Sequence, residues 1–199
     1  MTRTAALLIL ATTTTLLTGC SEPSPPVSTP DAVADRSSEL TRRLLLIDTH
    51  IDVPYRLHKS QVDVSVAAEG GDFDFPRAVA GGLNALFMSI YIPADVDRAG
   101  EAKPYADNLI DSVESLVSHA PEKFAIATCT DDLAAIKAAG KIAFPMGMEN
   151  GGPIEGSFEN LGHFAERGIR YVTLAHSKSN HISDSSYDSD ERWQGLSDF

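Results

Sequence analysis

Cysteine is almost missing from this chain: Cys20 and Cys129 are the two in 199 residues. Cys20 closes an N-terminal leader, so one thiol is left for the folded part and no internal disulfide framework is expected. Positive charge is also scarce. Sixteen Lys and Arg face 28 Asp and Glu, a formal net charge of −12. Such a surface repels nucleic acid and anionic membrane, and no basic stripe interleaved with aromatics offsets it. No strand-to-helix junction carries a Gly-rich phosphate turn, and Gly151-Gly152 follows Glu149-Asn150 instead. A long apolar run is missing too. Ala5 to Leu17 is short and diluted by threonines, so it does not span a bilayer as a stable helix.

What is present is globular: 43% hydrophobic and 22% charged residues, the composition of a chain that buries a core. Arg3 and the apolar stretch after it lead into Leu17-Thr18-Gly19-Cys20. This resembles a bacterial lipoprotein signal, which would make 1–20 a leader and Cys20 the lipidated N-terminus. An ordinary cleaved signal with an incidental Cys is the alternative. Several acyl chains on one Cys anchor firmly. Ser21, where no Asp stands, suits by the same resemblance an outer-membrane protein facing the periplasm. Residues 21–37 are rich in Ser, Pro and Asp and read as a flexible tether, with a short helix plausible from Asp31 to Arg43. Residues 38–199 form the domain.

Within the domain, strand and helix signals alternate. The first strand, Leu44 to Asp52, reads as buried with a polar tip, and Pro54 then turns the chain away. A loop over 58–73 holds His58. A short helix capped near Asp74 ends at Gly81-Gly82. A second strand over 83–93 and an amphipathic helix from Pro104 to His119 follow. A third strand, Phe124 to Cys129, would bury the Cys129 thiol. A helix over 133–139 leads to a fourth strand ending on Glu149. A helix over 158–167, closed by Gly168, leads to a fifth strand ending on His176. This order predicts an α/β fold with a parallel sheet. The reactive residue types fall at strand C-termini, the face where a (β/α) barrel builds its active site. An open doubly wound sheet places ligands at the same ends. A closed barrel needs eight strands and typically about 250 residues, so five strands imply either a smaller fold or the N-terminal part of a larger one.

His50 and Asp52, two apart on a strand, point to one face and can share a metal ion. Alone, the pair reads rather as a polar strand exit with no ligand. Glu149 and His176 at equivalent strand tips strengthen the ligand reading. His119 at a helix C-terminus suits the helix dipole. His163 reads as a residue on a solvated helix face, and His181 lies in the polar terminal stretch.

Taken together, Ile47-Asp48-Thr49-His50-Ile51-Asp52, Gly147-Met148-Glu149-Asn150-Gly151 and Tyr171-Val172-Thr173-Leu174-Ala175-His176-Ser177 resemble the membrane dipeptidase (renal dipeptidase) family. Phe75-Pro76-Arg77, Ser89-Ile90-Tyr91, Asp184 to Asp188 and Trp193 to Ser197 add to the likeness, which runs from about residue 40 to the last. The resemblance implies a TIM-type (β/α)8 barrel and a two-zinc site, of which about five strands would be in this chain. His50 and Asp52 would ligate the first zinc. Glu149 would be the catalytic carboxylate that bridges both zincs. His176 would contact substrate beside the scissile bond. Asn150 departs from the Gly that many members carry after the bridging Glu. The second zinc's histidines and a late acidic residue would lie beyond this chain.

A carboxylate that holds two cations together lowers the pKa of a shared water to give hydroxide near neutral pH. The activity this implies is hydrolysis of the single amide bond of dipeptides, including those with a D-residue at the C-terminal position. A related metal hydrolase of lactams, amides or esters is the alternative, as is a truncated, non-catalytic surface lipoprotein. The expected partners are a dipeptide and, through Cys20, the membrane, with no nucleic acid. A homodimer stays open.

Overall fold

The computed structural model describes residues 29–199. The leader, Cys20 and the first part of the tether lie outside them. Helix α1, Pro30–Arg43, takes in the last part of the stretch read as a tether. Thr29 accepts from the Ala32 N–H at its start, Pro30 sits in the first turn, and none of its residues is buried. Exposed pairs from Glu39 to Arg36 and Arg43 support it, at a few tenths of a kcal/mol each.

Strand β1 (Ile47–Ile51) is followed at once by helix α2 (Val53–Lys59), and α3 (Phe75–Ala80) precedes strand β2 (Ala85–Tyr91). Asp74 caps α3 by accepting from the Arg77 N–H at 2.9 Å. After β2 come a short helix α4 (Ala94–Arg98), the long α5 (Ala102–His119), β3 (Phe124–Ile126) and α6 (Thr130–Ala138). Strands β4 (Ile142–Phe144) and β5 (Met146–Glu149), helix α7 (Phe158–Glu166) and β6 (Ile169–Thr173) complete the order.

All pairings between these strands are parallel. β2 takes β1 on one side and β4 and β5 on the other; β4 also pairs with β3, and β5 with β6. Parallel neighbours need crossover helices, and α2, α5, α6 and α7 supply them by packing against the strands. The result is an α/β fold, a partial (β/α) barrel. The single fourth strand expected from sequence is two segments, because Pro145 has no N–H to donate; its carbonyl still accepts from Met88 at 2.8 Å.

β2 shows how the sheet divides its faces. Leu86, Met88, Ile90 and Ile92 are fully buried in the main core, together with Leu109, Ile110 and Val113 of α5. Each such side chain contributes about 1.5–3 kcal/mol on burial. The alternate residues Phe87, Ser89 and Tyr91 face the other way, as do Gly147 and Glu149 on β5. That second face holds the candidate site. Among the described residues no helix is long and apolar enough to cross a membrane.

Several expectations need correction. β1 is not buried: four of its five residues are exposed, because among the described residues it pairs with β2 alone. His58 is not in a loop but on α2, edge-on to Tyr105 at 4.9 Å. The third strand stops at Ile126, and Cys129 is an exposed thiol at the start of α6. The Asp132 carboxylate accepts the Thr128 and Cys129 N–H groups, which starts the helix there and ends the strand. His163 is not simply solvated: its Nε2 lies 2.7 Å from Asp107 Oδ1, and Arg167 binds the same carboxylate at 3.1 Å. That cluster ties α7 to α5.

Candidate metal centre

The site is built from the tips of β1, β5 and β6 and the chain just after them. His50 leaves β1 on the open face, and Asp52 stands where β1 passes into α2. His50 Nε2 lies 3.4 Å from Asp52 Oδ1 and 3.2 Å from Glu149 Oε2. One donor atom from each of the three lies within 4.8 Å of the others, the only such group of His, Cys, Asp or Glu among the described residues. Donors bound to zinc at about 2.0–2.2 Å in a tetrahedron stand about 3.3–3.6 Å apart; the 3.4 Å to Asp52 falls in that range and the 3.2 Å to Glu149 just below it. One imidazole and two carboxylates suit a divalent cation, whose charge would offset two acids held this close. The residues therefore fit a metal. A cavity of about 260 Å³ opens beside them, lined by His50, Asp52, Arg56, Asp72 and Phe73.

Glu149 is the centre of the arrangement. Its Oε2 accepts from Ser89 Oγ at 2.9 Å, and its Oε1 lies 3.0 Å from His176 Nε2. Ser89 is fully buried; the sequence offers it only as part of the family likeness, with no role at the site. A small polar residue at alternate spacing to Tyr91 on a buried strand was the available signal. His176 lies three residues past the end of β6. Its ring meets Tyr91 edge-on at 5.1 Å, and its Nδ1 is buried with no hydrogen-bond partner. On the other side of the centre, His50 Nδ1 lies 3.0 Å from the Tyr171 hydroxyl. Burial first, and then the Glu149 charge, raise both the Tyr91 and Tyr171 phenols above their usual value, so both stay neutral.

The residue after Glu149 explains the departure at Asn150. Its φ is +80°, the left-handed region that Gly and Asn enter most readily. Unlike Gly, Asn150 supplies a buried amide there. Nδ2 donates to the Ile92 carbonyl at 3.1 Å, and Oδ1 accepts from Gly152 N at 3.1 Å and from Asn180 Nδ2 at 2.9 Å. Asn180 also donates to the Leu174 carbonyl at 2.7 Å. One network thus joins the tips of β2 and β5 to the chain that carries His176.

That chain is held from beyond as well. Asp188, nearly buried, accepts from Lys178 Nζ at 3.0 Å and Ser179 N at 3.1 Å. The Lys178 bond, then the Ser179 N–H, pull its carboxyl down to about 2. Burial acts to raise the Asp184 carboxyl, but the N–H groups of Gly195, Trp193 and Arg192 outweigh it and hold it below the usual range. His181 lies apart from the metal ligands, against Phe199. Burial pushes its imidazole down, against the pull of Asp97 and Glu155.

Comparison with known proteins identifies the family and the fold. Residues 34–199 match the family model described as membrane dipeptidase, peptidase family M19. The chain is 31% identical over 165 residues to Dipeptidase ataJ of Aspergillus terreus, which covers 77% of this chain and 40% of that protein. It is 28% identical over 170 residues to an uncharacterized dipeptidase of Schizosaccharomyces pombe, covering 76% of this chain and 41% of that one. In structure it resembles the probable dipeptidase PvdM from Pseudomonas aeruginosa, with a TM-score of 0.75 and 25% identity over 85% of this chain and 46% of that one. A metallo peptidase from Rhodobacter sphaeroides, liganded with a phosphinate mimic of the dipeptide L-Ala-D-Ala, shares the fold at a TM-score of 0.64 and 20% identity, over 71% of this chain and 48% of that one. The chain thus spans less than half the length of these relatives.

Proposed function

The chain belongs to the membrane dipeptidase family, peptidase family M19, and on that premise we propose that it carries the first-metal half of a dipeptide-hydrolysing site. The observation that supports this most directly is the convergence of His50, Asp52 and Glu149 on one point. His50 Nε2, Asp52 Oδ1 and Glu149 Oε2 would hold a divalent cation, with zinc the reading carried by the resemblance. When bound, such a cation supplies Lewis acidity, lowering the pKa of a water and polarising the scissile carbonyl. In a two-zinc site, as the resemblance implies, Glu149 would be the carboxylate shared by both ions. Among the described residues, the donor that faces Glu149 Oε1 is His176 Nε2, at 3.0 Å.

The chain's own groups have distinct tasks. Ser89 donates to Glu149 Oε2 and fixes the plane of the carboxylate, while Asn150 fixes the backbone that carries it. His176 Nε2 now faces Glu149 Oε1 at 3.0 Å; with substrate present it would turn its N–H to the carbonyl oxygen of the scissile bond, where negative charge develops. Substrates would be dipeptides, including those ending in a D-residue. The Rhodobacter sphaeroides neighbour, liganded with a mimic of L-Ala-D-Ala, supports that class. Lipidation at Cys20, the tether and a place at the outer membrane facing the periplasm belong to the same reading. A Cys20→Ala protein that still partitions with membranes would overturn the anchor.

The test of activity uses the full-length protein with zinc restored and a panel of L-L and L-D dipeptides. The expected result is release of free amino acids, lost when His50 or Asp52 is replaced by Ala. No release from any dipeptide, or unchanged release by both variants, would overturn the reading.

A further inference from the structure

Tyr171 lies on β6 opposite Gly147 of β5 in the strand register. Its ring folds over that glycine: a Cβ at 147 would stand 2.1 Å from Tyr171 Cζ. Phe87 flanks the ring, with centroids 5.3 Å apart. Held this way, the phenol reaches across β5 and β2 to β1, where its oxygen is 3.0 Å from His50 Nδ1 and 3.3 Å from the Thr49 carbonyl. A carbonyl only accepts, so the hydroxyl proton is directed to Thr49. The phenolic oxygen is then the acceptor for a proton on His50 Nδ1. A neutral imidazole with its proton on Nδ1 keeps the Nε2 lone pair free, and Nε2 is the atom that faces Asp52 and Glu149.

We propose that Tyr171 is a positioning residue for the metal centre: its hydroxyl, steered by Gly147 and oriented by the Thr49 carbonyl, fixes the ring of His50 and the tautomer that presents Nε2 to the cation. This rests on His50 being a metal ligand. Ligating histidines commonly donate their second ring N–H to a carboxylate, a backbone carbonyl or water. Here a phenol takes that place, and it couples a residue of β6 to a ligand on β1 through the open face of the sheet. Gly147 belongs to the same device, because any side chain there would displace the ring.

The test measures Co²⁺ affinity and the visible absorption of the Co²⁺-loaded full chain for the parent, Tyr171→Phe and His50→Ala, with the unfolding temperature of each metal-free protein. Tyr171→Phe keeps the ring over Gly147 and removes only the hydroxyl. The expected result is a Co²⁺ affinity lowered about 10- to 100-fold, an altered absorption band, and a metal-free unfolding temperature within a few degrees of the parent. His50→Ala should lose more. If His50→Ala loses Co²⁺ while Tyr171→Phe keeps parental affinity and spectrum, the positioning role is wrong and the metal centre stands. If both keep parental affinity, the metal reading fails and the positioning role fails with it. A metal-free Tyr171→Phe protein that unfolds far below the parent would make the hydroxyl a structural stitch and also overturn the proposal.

Discussion

The two sides of the metal centre are built differently. Glu149 lies on β5, between β2 and β6, and its side chain is 15% exposed. Ser89 holds its carboxylate, and the Asn150 network holds its backbone. His50 comes from β1 and Asp52 from the residue just after it; among the described residues β1 pairs on one side only, and the two side chains are 39% and 63% exposed. Little touches Asp52, and His50 is steadied chiefly by Tyr171. The β5 side is therefore organised before any cation arrives. The β1 side takes its final geometry from Tyr171, from the cation, and from whatever pairs with its other edge. A metal site needs one rigid anchor more than it needs three, since binding itself orders the remaining ligands.

The sharpest break of this contrast is removal of the anchor. Glu149→Ala should lower metal affinity and activity by more than about 100-fold, since even outer partners of a metal cost 10- to 100-fold. Asp52→Ala should remove first-site metal and leave the fold intact, with unfolding temperature unchanged in the metal-free protein. Equal loss of metal-free stability in both variants would erase the difference between the two sides.

Next in size is Asn150→Ala. It leaves buried partners unsatisfied and puts a Cβ-bearing residue without a compensating amide at φ +80°. A stability loss of about 2–3 kcal/mol is expected by denaturant titration. Asn150→Gly should lose less, because glycine adopts the backbone freely.

Acid probes the rigid side from its far end. Asp188 is held at about 2, below the unfolded carboxylate value of about 3.9. The folded state therefore binds fewer protons there. The stabilisation is complete above about pH 4 and is lost as pH falls from there toward 2. Asp188→Asn should flatten the fall of unfolding temperature across that window, and a parental slope in the variant would remove this carboxylate from the account. The smallest effect belongs to α1. Arg36→Ala breaks an exposed pair with Glu39 and should change stability by less than about 0.5 kcal/mol.

Much of this was legible in the residues because the governing signals are short. Asp74 before Phe75-Pro76, the Gly81-Gly82 and Gly168 stops, and the apolar spacing of α5 each act within a turn or two of helix. His50, Asp52 and Glu149 were legible because strand tips repeat reactive residue types. The roles of Ser89 and Tyr171 were not, although both stand in stretches that carry the likeness, since a serine in a strand and a tyrosine in a strand look ordinary until the partner strands are placed. Cys129 was misjudged because the Asp132 carboxylate caps α6 and ends the strand before it, and the apolar run ahead of it hides that local switch; His163 was misjudged because its ion pair depends on Asp107, 56 residues away.

The chain's alternation of strand and helix, its caps and its acidic ligand types are properties of the sequence alone, because backbone sterics and local hydrogen bonds act between near neighbours. The exposure of β1, the split at Pro145, the Asn150 network and the reach of Tyr171 to His50 were decided only by tertiary structure. Those depend on which strands lie side by side, and side-by-side placement brings together groups as far as 122 residues apart that no local window contains.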